Sequence, residues 1–340
     1  MEKKPVRVCA QAGVCPPRIC TIDAPCKINL HLSIGERRPD GFHSLESIFA
    51  TLALSDTLRF ECVGNGGESV LSINHEISHE PSGDDEADGQ IIPQEENLVL
   101  KAVSLFREWT GFSSALDIRL DKRIPVGAGL GGGSSDAAST LLALNLLAGQ
   151  ALPMEKLSEM AAILGSDVPF FLYQGAAFVS GRGERVEPVR SPEGLWVILV
   201  KPPFFSDTTC AYGLLDEVRE GRAAGNLLAD KLSKETLVWA LENDPGTWPF
   251  YNDFLPVFLS FAPLRNDRRG ANAGIYRAIL EDLRKAGASF AGLSGAGSCC
   301  FGVFGTEEMA KIAEKELSRG KNHINLTFFL AQKANAILEY

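Results

Sequence analysis

Residues 125–138 read Pro-Val-Gly-Ala-Gly-Leu-Gly-Gly-Gly-Ser-Ser-Asp-Ala-Ala, a glycine-rich run that leads directly into a predicted helix. Five of the seven residues 127–133 are glycine, so successive backbone N–H groups can turn toward one centre. The run that follows forms helices well, and a helix N-terminus adds about half a positive charge. The pattern predicts a cradle for an anion, most naturally a polyphosphate, and disfavours the alternative of a flexible linker. Ser134 and Ser135 could cap the helix, bind phosphate or contact a Mg²⁺ ion.

Two other phosphate-binding motifs fit this stretch poorly. A Walker loop ends in Gly-Lys-Ser/Thr, whereas here glycine directly precedes Ser134. The spacing Gly127-x-Gly129-x-x-Gly132 matches a dinucleotide fingerprint by letter only. That fingerprint requires a continuous apolar strand before it and an acidic ribose ligand about 20 residues after it, and neither is present.

A phosphate cradle needs a partner that activates the group to be phosphorylated. Asp167 follows a predicted helix end, and Pro169 prevents that helix from continuing, so this carboxylate could deprotonate a hydroxyl from a fixed loop. Lys27 lies in the run Ala24–Leu32, whose alternation predicts a half-buried first strand, and its charge could stabilise a transferring phosphoryl group. Taken singly, Asp167 could be a turn residue and Lys27 a solvated lysine.

The charge of the chain is unevenly distributed. The 340 residues carry 33 Lys and Arg against 43 Asp and Glu, for a formal net charge of −10. Eight of the acidic residues lie in 74–96, which has no Lys or Arg, so the rest of the chain is nearly neutral. The acidic total disfavours nucleic-acid and membrane partners, although that exclusion rests more firmly on the site chemistry. Basic residues lie near the motifs, namely Lys27, Arg37, Arg38, Lys122, Arg123, Arg182 and Arg185.

The length suggests about two domains. We expect an irregular extension at 1–20, an N-terminal ATP-binding domain at 21–190 with an acidic insertion at 74–96, and a C-terminal domain at 191–340. No stretch approaches the ~20 apolar residues of a membrane helix, and no secretion signal is apparent, so we expect a cytoplasmic protein. Helices are predicted at 97–109, 134–148, 153–164, 226–243, 272–286 and 306–318. Strands are predicted at 24–32, 42–60, 116–120, 176–186, 195–201, 299–304 and 325–331.

The cysteines and histidines do not predict a metal site. Eight cysteines are expected as free thiols, and the four in the first 26 residues, Cys9, Cys15, Cys20 and Cys26, lack zinc-site spacing. Cys299 and Cys300 are expected to be small packing residues. His75 and His79 have the spacing of a helical metal pair but lie in a loop rich in helix breakers. Residues 291–298 form a second small-residue loop, suited to approaching a ligand or to a tight turn.

Together these segments resemble the kinase superfamily named for galactokinase, homoserine kinase, mevalonate kinase and phosphomevalonate kinase. The resemblance is carried by Ala24–Leu30, Arg38–Leu45, Arg123–Ala138, Gly165–Phe171, Tyr251–Phe254 and Leu293–Ser298. The run Arg38-Pro-Asp-Gly-Phe-His43 resembles the branch whose substrate is 4-diphosphocytidyl-2-C-methyl-D-erythritol. Cys26 departs from the alanine usual before the lysine. The resemblance implies an α+β fold with a ribosomal-protein-like N-terminal domain and a ferredoxin-like C-terminal domain.

The resemblance also implies a role for each site residue. Lys27 and Asp167 would form the catalytic pair, and Asn29 would contact the erythritol end of the substrate. Phe42 and Tyr212 would stack on the two faces of cytosine, with His43 reading its edge. Thr208 would lie beside them. ATP would be wrapped by Pro125, Val126, Gly127, Ala128, Gly129, Leu130, Gly131, Gly132, Gly133, Ser134 and Ser135.

The implied activity is phosphorylation of the 2-hydroxyl of the cytidyl substrate by ATP with Mg²⁺, whose protein ligands stay open. We expect a small-molecule substrate, no nucleic acid, no membrane and a monomer or weak homodimer. Two alternatives remain at this point. One is a sister kinase of the same superfamily acting on another small alcohol, and the other is a catalytically silent nucleotide-binding protein.

Overall fold

A computed structural model describes residues 18–75, 96–204, 206–220, 230–261, 273–319, 322–330 and 336–339. Most of the expected extension and of the acidic insertion therefore lies outside the described residues, as do Cys9, Cys15 and His79. The other six cysteines are free thiols, as expected, and Cys299 and Cys300 are buried. None of the helices in the described ranges combines the length and the apolar character needed to cross a bilayer.

Within the described residues, the first sheet has seven strands. They are β1 (Ile19–Arg37), β2 (His43–Asn65), β3 (Val70–His75), β4 (Ser114–Lys122), β5 (Ala176–Gly181), β6 (Arg185–Val189) and β11 (Ala336–Glu339). The order is β11-β1-β2-β4-β3, and β5 pairs with both β2 and β6. The helices in this part of the chain are α1 (Leu98–Thr110), α2 (Gly132–Leu147), α3 (Met154–Leu164) and α4 (Val168–Phe171).

The second sheet has four antiparallel strands in the described part of the chain, in the order β10-β7-β9-β8. They are β7 (Trp196–Lys201), β8 (Phe290–Leu293), β9 (Cys300–Phe304) and β10 (His323–Phe328). The helices are α5 (Thr208–Arg219), α6 (Lys234–Leu241), α7 (Phe254–Phe261) and α8 (Ala273–Lys285) after β7, and α9 (Glu307–Leu317) after β9. Helices thus separate β7 from β8 and β9 from β10, which is the ferredoxin-like βαββαβ plan. The expected α+β fold class is confirmed.

The two sheets divide the chain close to the expected boundary, because β6 ends at Val189 and β7 begins at Trp196. We propose the domain boundary between them. Two assignments differ from expectation: β1 already includes Ile19 and Cys20, and β11 returns to the first sheet, where Glu339 pairs with Ile19. The returning strand gives hydrogen-bond partners to a β1 edge that would otherwise be open.

Strand β1 is buried on both faces, not on one as its alternation predicts. Residues 24–34 are buried without a break. Ile28 and Leu30 belong to the same apolar cluster as Val197 and Phe301 of the second sheet. Ala24 and Leu32 instead join the cluster that contains buried residues of α1 and α2. The second domain therefore covers the apolar side of β1, whereas Lys27 lies on the other side, against Phe49 of the cluster that contains α1 and α2.

Helix α1 forms where the apolar stripe predicts it. Asn97 caps it by accepting a hydrogen bond from Val99 N at 2.9 Å, and Gly111 ends it with a left-handed φ of 74°. Its buried face includes Val99 and Phe106, and a side chain of that size contributes about 1.5–3 kcal/mol when fully buried.

Four other elements differ from prediction. The single strand expected at 176–186 is two strands, because glycines at 181 and 183 adopt left-handed φ angles and make a turn. Of the helix expected at 226–243, residues 226–229 lie outside the described residues and 230–233 are not helical; α6 begins at Lys234, where Ser233 caps it by accepting from Thr236 N. Helices α5 and α7 were not predicted.

Candidate active site

The glycine loop opens onto the N-terminus of α2, as predicted, but the cap differs. Helix α2 begins at Gly132, and Gly131 is its N-cap with a φ of 72° and no side-chain cap hydrogen bond. Ser134 and Ser135 therefore lie in the first turn and do not cap it. The first amides of a helix have no acceptor within the helix. Because Val126, Gly127 and Gly133 are exposed, the cradle faces solvent.

Close approach of other elements explains two of the glycines. A Cβ on Gly129, whose φ is +74°, would lie 2.3 Å from the Ser294 carbonyl oxygen. A Cβ on Gly131 would lie 2.8 Å from the Phe171 ring. The carbonyl of Leu130 accepts from Lys27 N at 2.9 Å, so the loop is fixed against β1. The glycines thus allow tight packing as well as amide exposure.

The second small-residue loop packs on the glycine loop. Ser294 Oγ donates to Gly129 O at 2.9 Å and accepts from Asn29 N at 3.3 Å. Asn252 Nδ2 donates to the carbonyls of Leu293 and Gly295, both at 2.8 Å. The loop from the second domain therefore supports the cradle and Asn29 together.

Lys27 and Asp167, far apart in sequence, meet beside the cradle. Lys27 Nζ lies 3.4 Å from Asp167 Oδ2 and donates to Asn29 Oδ1 at 2.7 Å. It also lies 4.6 Å from the centre of the Phe49 ring, in cation–π contact. With 4% exposure Lys27 is not a solvated lysine. Asn29 Nδ2 in turn donates to Ser47 Oγ at 3.0 Å, which fixes the orientation of the amide.

Asp167 is the accessible member of this pair. Its side chain is 32% exposed, and it makes no cap hydrogen bond although it precedes α4. Pro169 does more than end a helix, since it lies in the first turn of α4, where Val168 is helical and not extended. The carboxylate is thus held beside Lys27 with room for a further hydrogen-bond partner.

The residues expected around cytosine are partly assembled. His43 Nε2 lies 2.8 Å from Asp216 Oδ1, and the imidazole stacks on Tyr212 with ring centres 4.9 Å apart. Phe42 is 52% exposed, and the Arg182 guanidinium lies 5.0 Å from its ring centre. Tyr212 thus stacks on His43. The Tyr212 ring would have to move before it could stack on a cytosine base opposite Phe42. Thr208 is exposed at the start of α5.

Electrostatics connect the two parts of the site. Burial, and secondarily the negative charge of Asp167, raises the pKa of Tyr212 to about 12. Asp167 therefore acts electrostatically on the aromatic ring next to His43. Burial also lowers the pKa of His31 to about 4, so this neighbour of the pair on β1 is neutral at pH 7. The cleft thus places its positive charge at Lys27 and not at His31.

Three acidic residues near the site were not identified as site residues from the sequence. Asp56 and Asp136 are buried carboxylates that both contact Lys122 Nζ. Asp136 belongs to the glycine-loop stretch, but nothing in the sequence associates it with Asp56. Asp216 lies one helical turn after Tyr212, and that spacing is the signal that could have found it.

The described residues contain no group of three or more His, Cys, Asp and Glu side chains able to hold a metal ion. Two polar atoms beside the cradle, Ser135 Oγ and Asp136 Oδ1, are buried without a hydrogen-bond partner among these residues. Ser135 Oγ is buried in the first turn of α2 and makes no hydrogen bond within the described part of the chain.

Known proteins share both sequence and fold with this chain. Residues 97–175 match the family model described as GHMP kinases N terminal domain, and residues 259–322 match GHMP kinases C terminal. A 4-diphosphocytidyl-2-C-methyl-D-erythritol kinase from Synechococcus sp. (strain CC9605) is 37% identical over 305 residues, 88% of this chain and 92% of the relative. The kinase of the same name from Solibacter usitatus (strain Ellin6076) is 38% identical over 284 residues, 83% of this chain and 80% of the relative.

A solved structure has the same fold as this chain. The crystal structure of a 4-(cytidine 5'-diphospho)-2C-methyl-D-erythritol kinase has a TM-score of 0.67 and 30% identity, covering 91% of this chain and 99% of its own. Identity above 30% over most of both chains, together with the shared fold, establishes the family. The chain belongs to the 4-diphosphocytidyl-2-C-methyl-D-erythritol kinase family of the GHMP kinases.

Proposed function

We propose that this chain transfers the γ-phosphoryl group of ATP to the 2-hydroxyl of 4-diphosphocytidyl-2-C-methyl-D-erythritol, in the non-mevalonate route to isoprenoid precursors. One observation carries the proposal. A buried lysine, Lys27, contacts a partly exposed carboxylate, Asp167, where the glycine loop meets the N-terminus of α2. The names of the relatives support the cytidyl substrate.

Asp167 is the proposed general base. Its available oxygens can accept the proton of the 2-hydroxyl, and a positioned base of this kind contributes about 10²–10⁴-fold to the rate. The Lys27 ammonium stabilises the developing alkoxide and the charge on the transferring phosphoryl group. Asn29, held between Lys27 and Ser47, orients the ammonium and contacts the erythritol end of the substrate.

Residues 125–135 are the proposed binding loop for the ATP phosphates. The exposed amides at the start of α2 suit their negative charge, and the unpartnered Ser135 Oγ suits a polar ligand. Magnesium commonly binds through substrate phosphates with few protein ligands, which fits the absence of an acidic cluster among the described residues. Ser134 or Ser135 would hold the ion, which would neutralise phosphate charge.

We propose that His43 recognises the edge of the cytosine base and that Asp216 fixes which ring nitrogen of His43 carries the proton. An ionised carboxylate only accepts hydrogen bonds, so Nε2 donates to Asp216 Oδ1. In the uncharged ring Nδ1 is then an acceptor, which matches the exocyclic amine of cytosine and not the carbonyl of uracil. Phe42 and, after movement, Tyr212 supply stacking surfaces for the base.

An ADP-release assay with three acceptors tests the function. Purified protein is given ATP, Mg²⁺ and either the cytidyl substrate, homoserine or mevalonate. We expect turnover with the cytidyl substrate alone. Turnover on homoserine or mevalonate but not on the cytidyl compound would assign the chain to a sister activity, and ATP binding without any turnover would indicate a silent nucleotide-binding protein.

Three further expectations belong to the same proposal. We propose the cytoplasm as the compartment, a monomer or weak homodimer as the state in solution, and a small molecule as the only partner. Light scattering coupled to size exclusion across a range of concentrations tests the second of these. A stable complex larger than a dimer would contradict it.

A further inference from the structure

Lys122 lies at the base of the glycine loop, between two buried carboxylates. It is the last residue of β4, and its Nζ donates to Asp136 Oδ2 at 2.8 Å and to Asp56 Oδ2. The Asp56 side chain is 0% exposed, that of Asp136 is 5% exposed and that of Lys122 is 11% exposed. We call Asp56, Lys122 and Asp136 the loop clamp.

The loop clamp holds both ends of the glycine loop. At the entry, Asp56 Oδ1 accepts from the backbone amides of Arg123 at 2.6 Å and Ile124 at 2.8 Å. At the exit, Asp136 is the fifth residue of α2 and follows the glycines after Ser134 and Ser135. Lys122 Nζ joins the two carboxylates, so one ammonium group links the residues before the loop to the helix after it.

The packing around Lys122 is tight. A Cβ on Gly132, the first residue of α2, would lie 3.4 Å from Lys122 Nζ and 3.2 Å from Ile124 Cγ2. The ammonium is therefore in contact range of the helix N-terminus. A displacement of Lys122 would move the amides that the proposed function assigns to phosphate.

We propose that Lys122 is a positioning residue for the nucleotide phosphates, acting through the loop clamp and not by touching the reacting atoms. The proposal rests on the proposed function, since it concerns the same ATP site. The clamp fixes the distance between loop entry and helix start, which sets the direction of the helix amides. Its loss weakens ATP binding while leaving the cytidyl site, built from β1, β2 and α5, intact.

A merely structural role is the competing explanation, because removing one partner of a buried ion pair destabilises a protein strongly. The clamp offers a way to separate the two. The Asp136 side chain is 5% exposed and contacts Lys122 Nζ through Oδ2, and asparagine at this position keeps the shape of the side chain without a charge. Asparagine at 136 therefore removes one of the two buried carboxylates that lose their partner when Lys122 is replaced, while Asp56 keeps its hydrogen bonds from two backbone amides.

The experiment uses Lys122→Met, Asp136→Asn and the double variant Lys122→Met/Asp136→Asn. Lys311→Met, which removes an exposed lysine paired with Glu307 on α9, is the matched control. Each protein is measured for thermal unfolding, for binding of a non-hydrolysable ATP analogue by calorimetry, and for the KM of ATP and of the cytidyl substrate. Analogue binding needs no acceptor, so it tests the clamp even if the proposed acceptor is wrong.

We expect Lys122→Met to lower the unfolding temperature and to weaken analogue binding by about tenfold, about 1.4 kcal/mol. The double variant should recover part of the unfolding temperature but retain the weak analogue binding, with the KM of the cytidyl substrate within about twofold of the unmodified chain. Recovery of analogue binding together with stability would overturn the proposal, as would a parallel rise of both KM values. If Lys122→Met does not fold, the double variant alone decides between these results.

Discussion

Two lysine–aspartate sites flank the glycine loop, one open and one closed. In the open site Lys27 Nζ and Asp167 Oδ2 are 3.4 Å apart, and the carboxylate is 32% exposed. In the closed site, the loop clamp, Lys122 Nζ is 2.8 Å from Asp136 Oδ2, and Asp56 and Asp136 are buried. The same charged groups thus occupy two different environments within one site.

The difference shows how burial decides what a carboxylate can do. Asp167 can exchange its lysine contact for a substrate hydroxyl, because water and ligand reach it. Asp56 cannot, because both of its oxygens are already bonded, one to Lys122 and one to the amides of Arg123 and Ile124. The Lys27–Asp167 pair is therefore suited to catalysis, and the loop clamp is suited to positioning the glycine loop.

Breaking the open pair has the largest expected effect. Asp167→Asn keeps the shape of the side chain but removes the base, so kcat should fall by about 10²–10⁴-fold. Binding of an ATP analogue should change by less than about twofold, because Asp167 lies outside the phosphate loop. Asp117→Asn, which alters an exposed carboxylate on β4, is the control. A kcat for Asp167→Asn close to that of the control would remove Asp167 from the base role.

The glycine loop lies between the two sites, and we expect it to be sensitive to substitution at Gly129. In Gly129→Ala, the added methyl would lie 2.3 Å from Ser294 O at a left-handed φ of +74°. We expect a loss of about 2 kcal/mol in the free energy of unfolding and weaker ATP-analogue binding.

Gly133→Ala is the matched stability control, since the nearest atom to its Cβ would be 3.9 Å away. Its free energy of unfolding should stay equal or rise by about 0.5 kcal/mol, because alanine favours helix over glycine. Denaturant titration measures both variants. Equal losses in the two would show that the docking of the loop on Ser294 is not what requires glycine at 129.

The closed site should respond to pH. Burial raises the pKa of Asp136 to about 7, above its ordinary value, so the folded chain holds this proton more tightly than the unfolded chain. The stability that Asp136 contributes is full below about pH 4 and is lost as the pH rises through about 7. Asp136→Asn removes this dependence.

The free energy of unfolding of Asp136→Asn, relative to the unmodified chain, should therefore increase by about 2 kcal/mol between about pH 5 and pH 8.5. Denaturant titrations of both proteins at each pH measure the difference, in which titrating groups outside the loop clamp cancel. A constant difference across this range would mean that Asp136 does not titrate with a raised pKa.

The smallest expected effect is at Asp216, beside the open site. Asp216→Asn can donate to His43 Nε2 through its amide, which leaves Nδ1 as a donor. We expect the KM of the cytidyl substrate to rise about fivefold and the preference over its uridine analogue to shrink. Glu242→Gln, at the exposed end of α6, is the control. An unchanged cytidine-to-uridine ratio would separate Asp216 from base recognition.

The open site was largely predictable from sequence, whereas the closed one was not. Glycines, Lys27 and Asp167 belong to local patterns whose chemistry can be read residue by residue. The contact of Asp56 with Lys122 and Asp136 depends on strand pairing between β2 and β4, which joins distant residues. No local spacing carries that information.

Long-range packing also explains the errors in the fold. The alternation of β1 predicts one solvent-facing side. Lys27 and Asn29 on that side are buried instead, because they pack against the glycine loop, Phe49 and Ser294. The pairing of β11 with β1 joins residues that are far apart in the sequence, so no local pattern predicts it. Where neighbouring residues alone decide the structure, as at the Asn97 cap and the glycine end of α1, local signals were sufficient to predict it.

A crystal structure of the chain with a non-hydrolysable ATP analogue and 4-diphosphocytidyl-2-C-methyl-D-erythritol tests the central claim most directly. The decisive quantity is the distance between the Asp167 carboxylate and the 2-hydroxyl of the substrate. We predict about 3 Å, with the γ-phosphate between that hydroxyl and the amides of the glycine loop. A hydroxyl beyond hydrogen-bond reach of Asp167, or phosphates bound away from residues 125–135, would contradict the assignment of the open pair to catalysis.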